Sequence, residues 1–236
     1  MTKLLVSVTN AEEALQAVEA GADIIDLKNP LEGALGALPL SVIEGAVLAV
    51  DGRRITSATI GDLPMDPDLV LEAVKAVAAC GVDIVKVGFF GTASQHQECI
   101  AALKPVVRQH NVSIVAVLMA DMSPDFEIVQ TLRQAGFFGV MLDTARKDGR
   151  HLLNHMSLCQ LQDFLESAHG LQTGLAGSLK MENIEQLKKL KPSYIGVRGA
   201  VCESFNRVAK LSKAQVSALK FVLHNNNTPA ENADLV

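Results

Sequence analysis

Short apolar segments alternate with helical segments along the whole 236-residue chain. The apolar segments are rich in Ile, Val and Leu and are continuous, which is typical of parallel strands that are covered on both faces. We predict eight strands, at residues 3–8, 23–28, 54–59, 83–88, 113–119, 139–144, 172–177 and 194–199. A predicted helix follows each strand, at residues 11–20, 39–50, 67–80, 93–110, 124–135, 157–169, 182–190 and 212–223.

The size of this repeat indicates the architecture. Each strand and helix together take about 25 to 30 residues, which is the dimension of a βαβ unit. Eight such units predict an α/β chain folded as a single-domain (β/α)8 TIM barrel over residues 1–223. An open doubly wound sheet is the alternative, but it would more naturally carry a G-x-G-x-x-G turn after the first strand, which is missing from the sequence. Residues 224–236 are polar, and we expect them to be disordered or loosely attached.

Composition excludes several classes of function. The net charge is -5 and the basic residues are not clustered, which argues against a nucleic-acid partner. We see no signal peptide and no apolar run long enough to span a membrane, so we expect a cytoplasmic protein with no membrane partner. The four cysteines form no C-x-x-C pair and no zinc spacing. Apolar helix faces are common in oligomeric barrels, so a homo-oligomer stays among the expectations.

Two lysines stand in apolar strand segments, where a soluble protein rarely places them. Lys28 ends the segment Asp23-Ile-Ile-Asp-Leu-Lys28, and Lys86 lies in Asp83-Ile-Val-Lys-Val-Gly88. A buried lysine must be neutralised, paired or used. A desolvated lysine beside a second cation loses its proton more easily and becomes a nucleophile. This pattern indicates Schiff-base chemistry on a carbonyl compound.

Further polar residues stand at strand ends, where a TIM barrel places its active site. Asp26 and Lys28 are two positions apart and therefore face the same side of their strand. Asp143 ends the sixth predicted strand, and Lys147 lies just beyond it. The predicted catalytic set is thus Lys28, Lys86, Asp26, Asp143 and Lys147, suited to imine formation and proton transfer. The alternative is a structural network of ion pairs that closes the mouth of the barrel.

A phosphate site is predicted after the seventh and eighth strands, where barrels often bind this group. Gly177 and Ser178 follow one strand, and Arg198, Gly199 and Ala200 follow the other. Glycine lets backbone N–H groups approach an anion, and serine and arginine add a hydroxyl and a charge. The alternative is that these glycines serve tight turns only. Together with the lysines, the site predicts a phosphorylated carbonyl compound as the small-molecule partner.

No metal or other cofactor is predicted. Asp62, Asp66 and Asp68 could suggest a metal site, but Pro64 and Pro67 interrupt the loop and no second ligand cluster supports it.

Several longer strings carry a family resemblance. They are Asp23-Ile-Ile-Asp-Leu-Lys-Asn-Pro30, Glu32-Gly-Ala-Leu-Gly36, Ser57-Ala-Thr-Ile-Gly-Asp62, Lys86-Val-Gly88, Met141-Leu-Asp-Thr-Ala145, Lys147-Asp-Gly149, Leu175-Ala-Gly-Ser178 and Gly196-Val-Arg-Gly-Ala200. From the first strand to the eighth, the chain resembles the (5-formylfuran-3-yl)methyl phosphate synthase family.

The resemblance implies a TIM barrel that acts in the biosynthesis of methanofuran-type cofactors. It implies the condensation of two molecules of glyceraldehyde 3-phosphate, with loss of one phosphate and two waters. Lys28 matches the family's Schiff-base lysine and Lys86 its proton acceptor. Asp26, Asp143 and Lys147 match further active-site positions. The residues that bind the second phosphate stay open.

Two other functions remain as alternatives. Another class I aldolase that acts on a sugar phosphate would share the barrel, the imine and the phosphate site. A non-catalytic barrel that binds phosphorylated metabolites would use the lysines only to bind anions.

Overall fold

The computed structural model describes residues 1–109 and 112–225, and it confirms the predicted TIM barrel. Eight parallel strands close into a barrel in which each strand lies beside its neighbours in sequence, and β8 pairs with β1. The strands are β1 (Lys3–Val8), β2 (Ile24–Leu27), β3 (Ile55–Thr59), β4 (Ile84–Phe89), β5 (Ser113–Met119), β6 (Gly139–Asp143), β7 (Gln172–Leu175) and β8 (Tyr194–Val197).

Helices surround the barrel and connect successive strands. They are α1 (Ala11–Glu19), α2 (Leu40–Val50), α3 (Pro67–Ala79), α4 (Ala93–Gln109), α5 (Ile128–Ala135), α6 (Leu152–His155), α7 (Leu158–Ser167), α8 (Met181–Leu187) and α9 (Lys213–His224). Several begin at side-chain caps; for example, the side chain of Asn10 accepts a hydrogen bond from the Glu13 amide. The predicted end of the fourth helix at His110 lies outside the described residues. Of the predicted tail, residues 224–236, His224 is the last residue of α9, and residues 226–236 lie outside the described residues.

Two parts of the helical layer differ from the prediction. The fifth helix begins at Ile128, four residues later than predicted from Pro124, so its predicted start was wrong. The chain leaving β5 first forms a 3-10 turn over Ala120–Met122, and Ser123 then adopts a left-handed backbone conformation, which keeps Pro124 out of the helix. The short helix α6 was not predicted, because four residues are too few for a helical period to show.

Apolar side chains form two separate layers. One layer lies between the outer faces of the strands and the helices, and it contains large buried residues such as Ile25, Leu103 and Phe164. The other fills the inside of the barrel, with members such as Leu5, Val117 and Met141. Alternate residues of each strand therefore point into the barrel, so an inward-facing polar residue must be accommodated within this inner layer.

Gly174 makes room for an aromatic side chain inside the barrel. A Cβ at this position would lie 2.3 Å from the ring of Tyr194 and 2.7 Å from Met141. Tyr194 is the register partner of Gly174 on β8 and is buried in the inner layer, and the missing Cβ leaves room for its ring. The ring therefore fills the inside of the barrel at the amino end of β8, away from the carboxyl ends of the strands.

Among the described residues, no helix is both long enough and apolar enough to cross a bilayer.

Candidate active site

A cavity of about 310 Å³ opens at the carboxyl ends of the strands. This volume lies at the lower end of the range for small-molecule pockets, about 300–1,000 Å³. The cavity is lined by four of the five predicted catalytic residues, Lys28, Lys86, Asp143 and Lys147, and by the predicted phosphate-binding residues Gly177, Ser178, Arg198, Gly199 and Ala200. The tertiary structure therefore brings both predicted sets to one place.

Asp26 is the centre of a buried hydrogen-bond network at the base of this cavity. It has no exposed surface. Its carboxylate accepts hydrogen bonds from Ser7 Oγ at 2.8 Å, from Ser57 Oγ at 2.7 Å and from Lys86 Nζ at 2.8 Å. Ser7 and Ser57 are its direct partners on β1 and β3, so strand register alone delivers both hydroxyls. The carboxylate is consequently fixed in position and fully hydrogen-bonded.

Lys86 lies at the third position of β4 rather than at the strand end. Its side chain still points into the barrel and is 2 % exposed. Because its Nζ is bound to Asp26, this buried ammonium has the counter-charge that its burial requires.

Lys28 forms a second group with Asp143 and Lys147. Lys28 Nζ lies 3.7 Å from Asp143 Oδ2, while Lys147 Nζ donates to Asp143 Oδ1 at 2.8 Å and to Thr144 Oγ1 at 3.2 Å. No hydrogen bond holds the Lys28 ammonium among the described residues, in contrast to those of Lys86 and Lys147. Of the three lysines, Lys28 is therefore the one whose nitrogen is most available to a substrate.

The electrostatics of this group favour a reactive amine. Burial lowers the pKa of Lys28 from 10.5 to about 8; Asp143 opposes the shift, and the cations Lys86 and Lys147 add to it. Burial raises the pKa of Asp143, but Lys147 and Lys28 outweigh it and hold that pKa well below its usual range. Asp26 behaves in the same way, since Lys86 and Lys28 outweigh burial and lower its pKa. Near neutral pH, the site thus holds two carboxylates beside an amine that deprotonates readily.

Backbone donors face the cavity after β7 and β8. Gly177 and Ser178 both have positive φ angles, of 111° and 50°, which turn the chain back over the mouth. In the described part of the chain, the N–H groups of Ser178, Leu179, Gly199 and Ala200 donate to no protein acceptor. Backbone N–H groups without a protein acceptor at the edge of a cavity suit an anion.

Arg198 does not offer its charge to this anion site. All five of its N–H donors are used: they bind Glu13, by two bonds, and the carbonyl oxygens of Ser7, Arg207 and Ala209. The predicted role of its guanidinium as a direct phosphate ligand therefore has no free donor to support it. Glu13 is the reason, because its buried carboxylate on α1 pairs with Arg198 and fixes it between two loops.

Sequence reasoning missed several residues of the site. Ser7 is the one that the sequence could most easily have indicated, since it is a polar residue at an inward position of β1. Asp62 was considered only as a metal ligand, but it fastens the loop after β2: its carboxylate accepts the N–H groups of Ala34 and Leu35, both at 2.7 Å. Gly33 is required there, because its φ is +70° and a Cβ would lie 1.9 Å from Asp62 Oδ2. Arg207 lines the cavity and had no signal in the sequence apart from its charge.

A larger groove of about 1040 Å³ lies between α4 and α5 and includes His96, Met122 and Phe126. It contains none of the buried lysine–carboxylate pairs, so its size does not make it the centre of the chemistry. In the ranges that the structure covers, no group of three or more His, Cys, Asp or Glu side chains could hold a metal ion.

Comparison with known proteins identifies the family of this chain. A family model described as 4-HFC-P synthase matches residues 4–220. The chain belongs to this family.

A relative from Methanopyrus kandleri, named (5-formylfuran-3-yl)methyl phosphate synthase, is 41% identical over 217 residues, covering 87% of this chain and 91% of its own length. A relative from Methanothermobacter thermautotrophicus with the same name is 37% identical, covering 93% of this chain and 98% of its own. One from Methylorubrum extorquens, named as a putative enzyme of this activity, is 39% identical, with 91% and 89% covered. The chain is therefore an enzyme of the synthase family.

Solved structures show the fold alone. The 3-hexulose-6-phosphate synthase from Salmonella typhimurium superposes with a TM-score of 0.67 at 18% identity, covering 94% of this chain and all (100%) of that chain. Phosphoribosyl anthranilate isomerase from Thermus thermophilus superposes with a TM-score of 0.66 at 16% identity, covering 94% and 98%.

Proposed function

We propose that this enzyme condenses two molecules of glyceraldehyde 3-phosphate through a Schiff base on Lys28. The product is (5-formylfuran-3-yl)methyl phosphate, and one phosphate and two waters are released. The reaction makes the enzyme a carbon–oxygen lyase acting on phosphates, with an aldolase-like carbon–carbon step. Its place is the biosynthesis of methanofuran or methylofuran cofactors. The names of the relatives support the product, and the site supports the route.

One observation carries the proposal: Lys28 is a buried lysine with a pKa of about 8, in a cavity that also holds two ionised carboxylates. Near neutral pH, part of its population is an unprotonated amine that can attack a carbonyl carbon. Loss of water then gives an imine, whose positive nitrogen withdraws electrons and makes the imine carbon electrophilic. Asp143, at 3.7 Å from Lys28 Nζ, is placed to stabilise that positive charge.

The remaining groups serve the proton transfers. One triose phosphate first becomes its ketose isomer, which needs a base and an acid at adjacent carbons. The second glyceraldehyde 3-phosphate loses its phosphate by elimination and becomes an enol, whose terminal carbon attacks the iminium carbon and gives a branched six-carbon skeleton. Release of the lysine, attack of the free hydroxyl on the ketone and loss of water then close the furan ring. We assign these transfers jointly to Lys86, Asp26, Asp143 and Lys147. Asp26 and Lys86, joined at 2.8 Å, can exchange a proton within one buried pair.

Charge in the cavity supports phosphorylated substrates. The whole chain carries a net charge of -5, yet six cations line this cavity, and within the described residues only Asp26, Asp143 and Glu13 pair with them. The six are Lys28, Lys86, Lys147, Lys180, Arg198 and Arg207. A local excess of positive charge in an acidic protein attracts anionic ligands. The N–H groups after β7 and β8 provide a site for one phosphate.

The test is to incubate the enzyme with glyceraldehyde 3-phosphate, with and without borohydride. Intact mass, ultraviolet spectrum and released phosphate are then measured. We expect a reduced adduct that maps to Lys28, a growing furan absorbance and stoichiometric phosphate. Lys28→Met should give none of these, whereas Lys104→Met, on an exposed face of α4, should behave like the wild type.

Each alternative function has its own result. An adduct on Lys28 without furan or phosphate would indicate another class I aldolase. No adduct and no turnover would indicate a barrel that only binds phosphorylated metabolites, and would contradict the proposal.

A further inference from the structure

Arg207 is a cation of the cavity that the proposed reaction has not yet used. It follows β8, lines the cavity together with Lys28, Asp143 and Lys147, and is half-buried. Within residues 1–109 and 112–225 it forms no ion pair. Burial lowers the pKa of Arg207, and the carboxylate of Asp143 opposes this effect, as expected for a guanidinium near the reacting groups.

The backbone of Arg207 is held firmly while most of its side-chain donors stay available. Its carbonyl oxygen accepts from Arg198 Nε at 2.8 Å, and Arg198 is itself fixed by Glu13. Its Nη2 donates to the carbonyl oxygen of Gly33 at 2.9 Å. The guanidinium therefore bridges from the loop after β8 to the loop after β2, across the rim of the cavity. Its other N–H groups bind no acceptor in the part of the chain that the structure describes.

Two triose phosphates bring two phosphate groups, and the backbone N–H groups after β7 and β8 form a site for one. Lys180, the other cavity cation without an ion pair among the described residues, lies beside that site, two residues after Ser178. Arg207 lies at the rim, which a second substrate must pass after the first is bound to Lys28. A guanidinium fork matches two phosphate oxygens at once.

We propose that Arg207 binds the phosphate of the second glyceraldehyde 3-phosphate, the molecule that is joined to the iminium on Lys28 and that loses this phosphate. This inference rests on the proposed function. It gives Arg198 a positioning role, because Arg198 holds the backbone from which Arg207 reaches the substrate.

The first experiment needs no catalysis. Inorganic phosphate is titrated into wild type, Arg207→Gln and Arg207→Lys by calorimetry at low ionic strength. Arg150→Gln is the matched control, because Arg150 is exposed and pairs with Asp148 outside the cavity. We expect two phosphate sites in wild type and Arg150→Gln, one in Arg207→Gln, and a weakened second site in Arg207→Lys. Two sites of wild-type affinity in Arg207→Gln would overturn the proposal.

The second experiment measures binding of the second substrate during turnover. With saturating dihydroxyacetone phosphate as the first substrate, kcat and KM are measured for glyceraldehyde 3-phosphate. Arg207→Gln should raise this KM about tenfold or more, since a charge-assisted contact is removed. The borohydride-trapped adduct of Arg207→Gln with dihydroxyacetone phosphate should form at the wild-type level, which also shows that the variant is folded.

An unchanged KM for glyceraldehyde 3-phosphate in Arg207→Gln would contradict the assignment. If the wild type itself forms no trapped adduct, the proposed function fails, and the phosphate titration still decides whether Arg207 binds an anion.

Discussion

Replacing Asp143 by asparagine should make Lys28 more reactive while it slows the enzyme. The carboxylate of Asp143, at 3.7 Å from Lys28 Nζ, opposes the lowering of the Lys28 pKa. Without that negative charge, only Asp26 still opposes burial and the cations Lys86 and Lys147, so the pKa of Lys28 should fall further. Turnover should fall nevertheless, because the proposed reaction loses the group that stabilises the iminium and shares the proton transfers.

The possible increase in the reactivity of Lys28 is limited by the protonation of Lys28 in the wild type. With a pKa of about 8, about one Lys28 in eleven is unprotonated at pH 7. In Asp143→Asn this fraction can rise at most to one. Labelling of Lys28 at pH 7 should therefore become faster by a factor between about two and about eleven, and the midpoint of its pH dependence should move below the wild-type value.

The assay is reductive methylation with formaldehyde and cyanoborohydride from about pH 6 to about pH 9, with the Lys28 peptide quantified by mass spectrometry. Formaldehyde carries no phosphate, so the measurement does not depend on substrate binding. Asp148→Asn is the control, because Asp148 is an exposed carboxylate of the same loop whose partner is Arg150. Slower labelling of Lys28 in Asp143→Asn, or a midpoint above that of the wild type, would refute the electrostatic reasoning.

Three further predictions concern stability. The pKa of Lys28 is lowered from 10.5 to about 8 on folding, so the unfolded state binds more protons between these pH values. The free energy of unfolding of the wild type should therefore rise with pH in this range, by about 3 kcal/mol relative to Lys28→Met. Parallel pH profiles of the two proteins in chemical denaturation would contradict this. Asp62→Asn should release the loop after β2 and speed amide hydrogen exchange at Ala34 about tenfold or more. An Ala34 amide that stays protected would contradict the view that Asp62 holds this loop. Glu13→Gln should cost about 3 to 5 kcal/mol at neutral pH by leaving Arg198 buried without its counter-charge. Arg198 and neighbouring donors outweigh burial and lower the pKa of Glu13 below 4.5. The wild type should therefore lose its stability advantage over Glu13→Gln as the pH falls below that value. A difference in the free energy of unfolding that stays constant with pH would contradict this.

The barrel and part of its site follow from local features of the sequence. Eight apolar segments at a regular spacing are a pattern that each segment carries by itself, so the (β/α)8 fold could be predicted without any long-range contact. The two-residue spacing of Asp26 and Lys28 likewise puts both on one face of any strand, and both do point into the barrel. The start of α5 was predicted wrongly because Pro124 is a local helix signal, whereas the 3-10 turn after β5 depends on how the chain leaves the barrel.

Which charged groups are paired was decided only by the tertiary structure. Arg198 and Arg207 are both arginines after β8, and no local feature shows which of them is paired. Glu13, 185 residues from Arg198 in sequence, takes up the first guanidinium and leaves the second at the rim of the cavity. In the same way, Asp26 reaches Lys86 across 60 residues, while Lys28, its neighbour in sequence, lies against Asp143 on β6. The sequence determines which residues face the inside of the barrel, because side-chain direction alternates along a strand. Only barrel closure decides which of them meet, because that depends on the register of all eight strands.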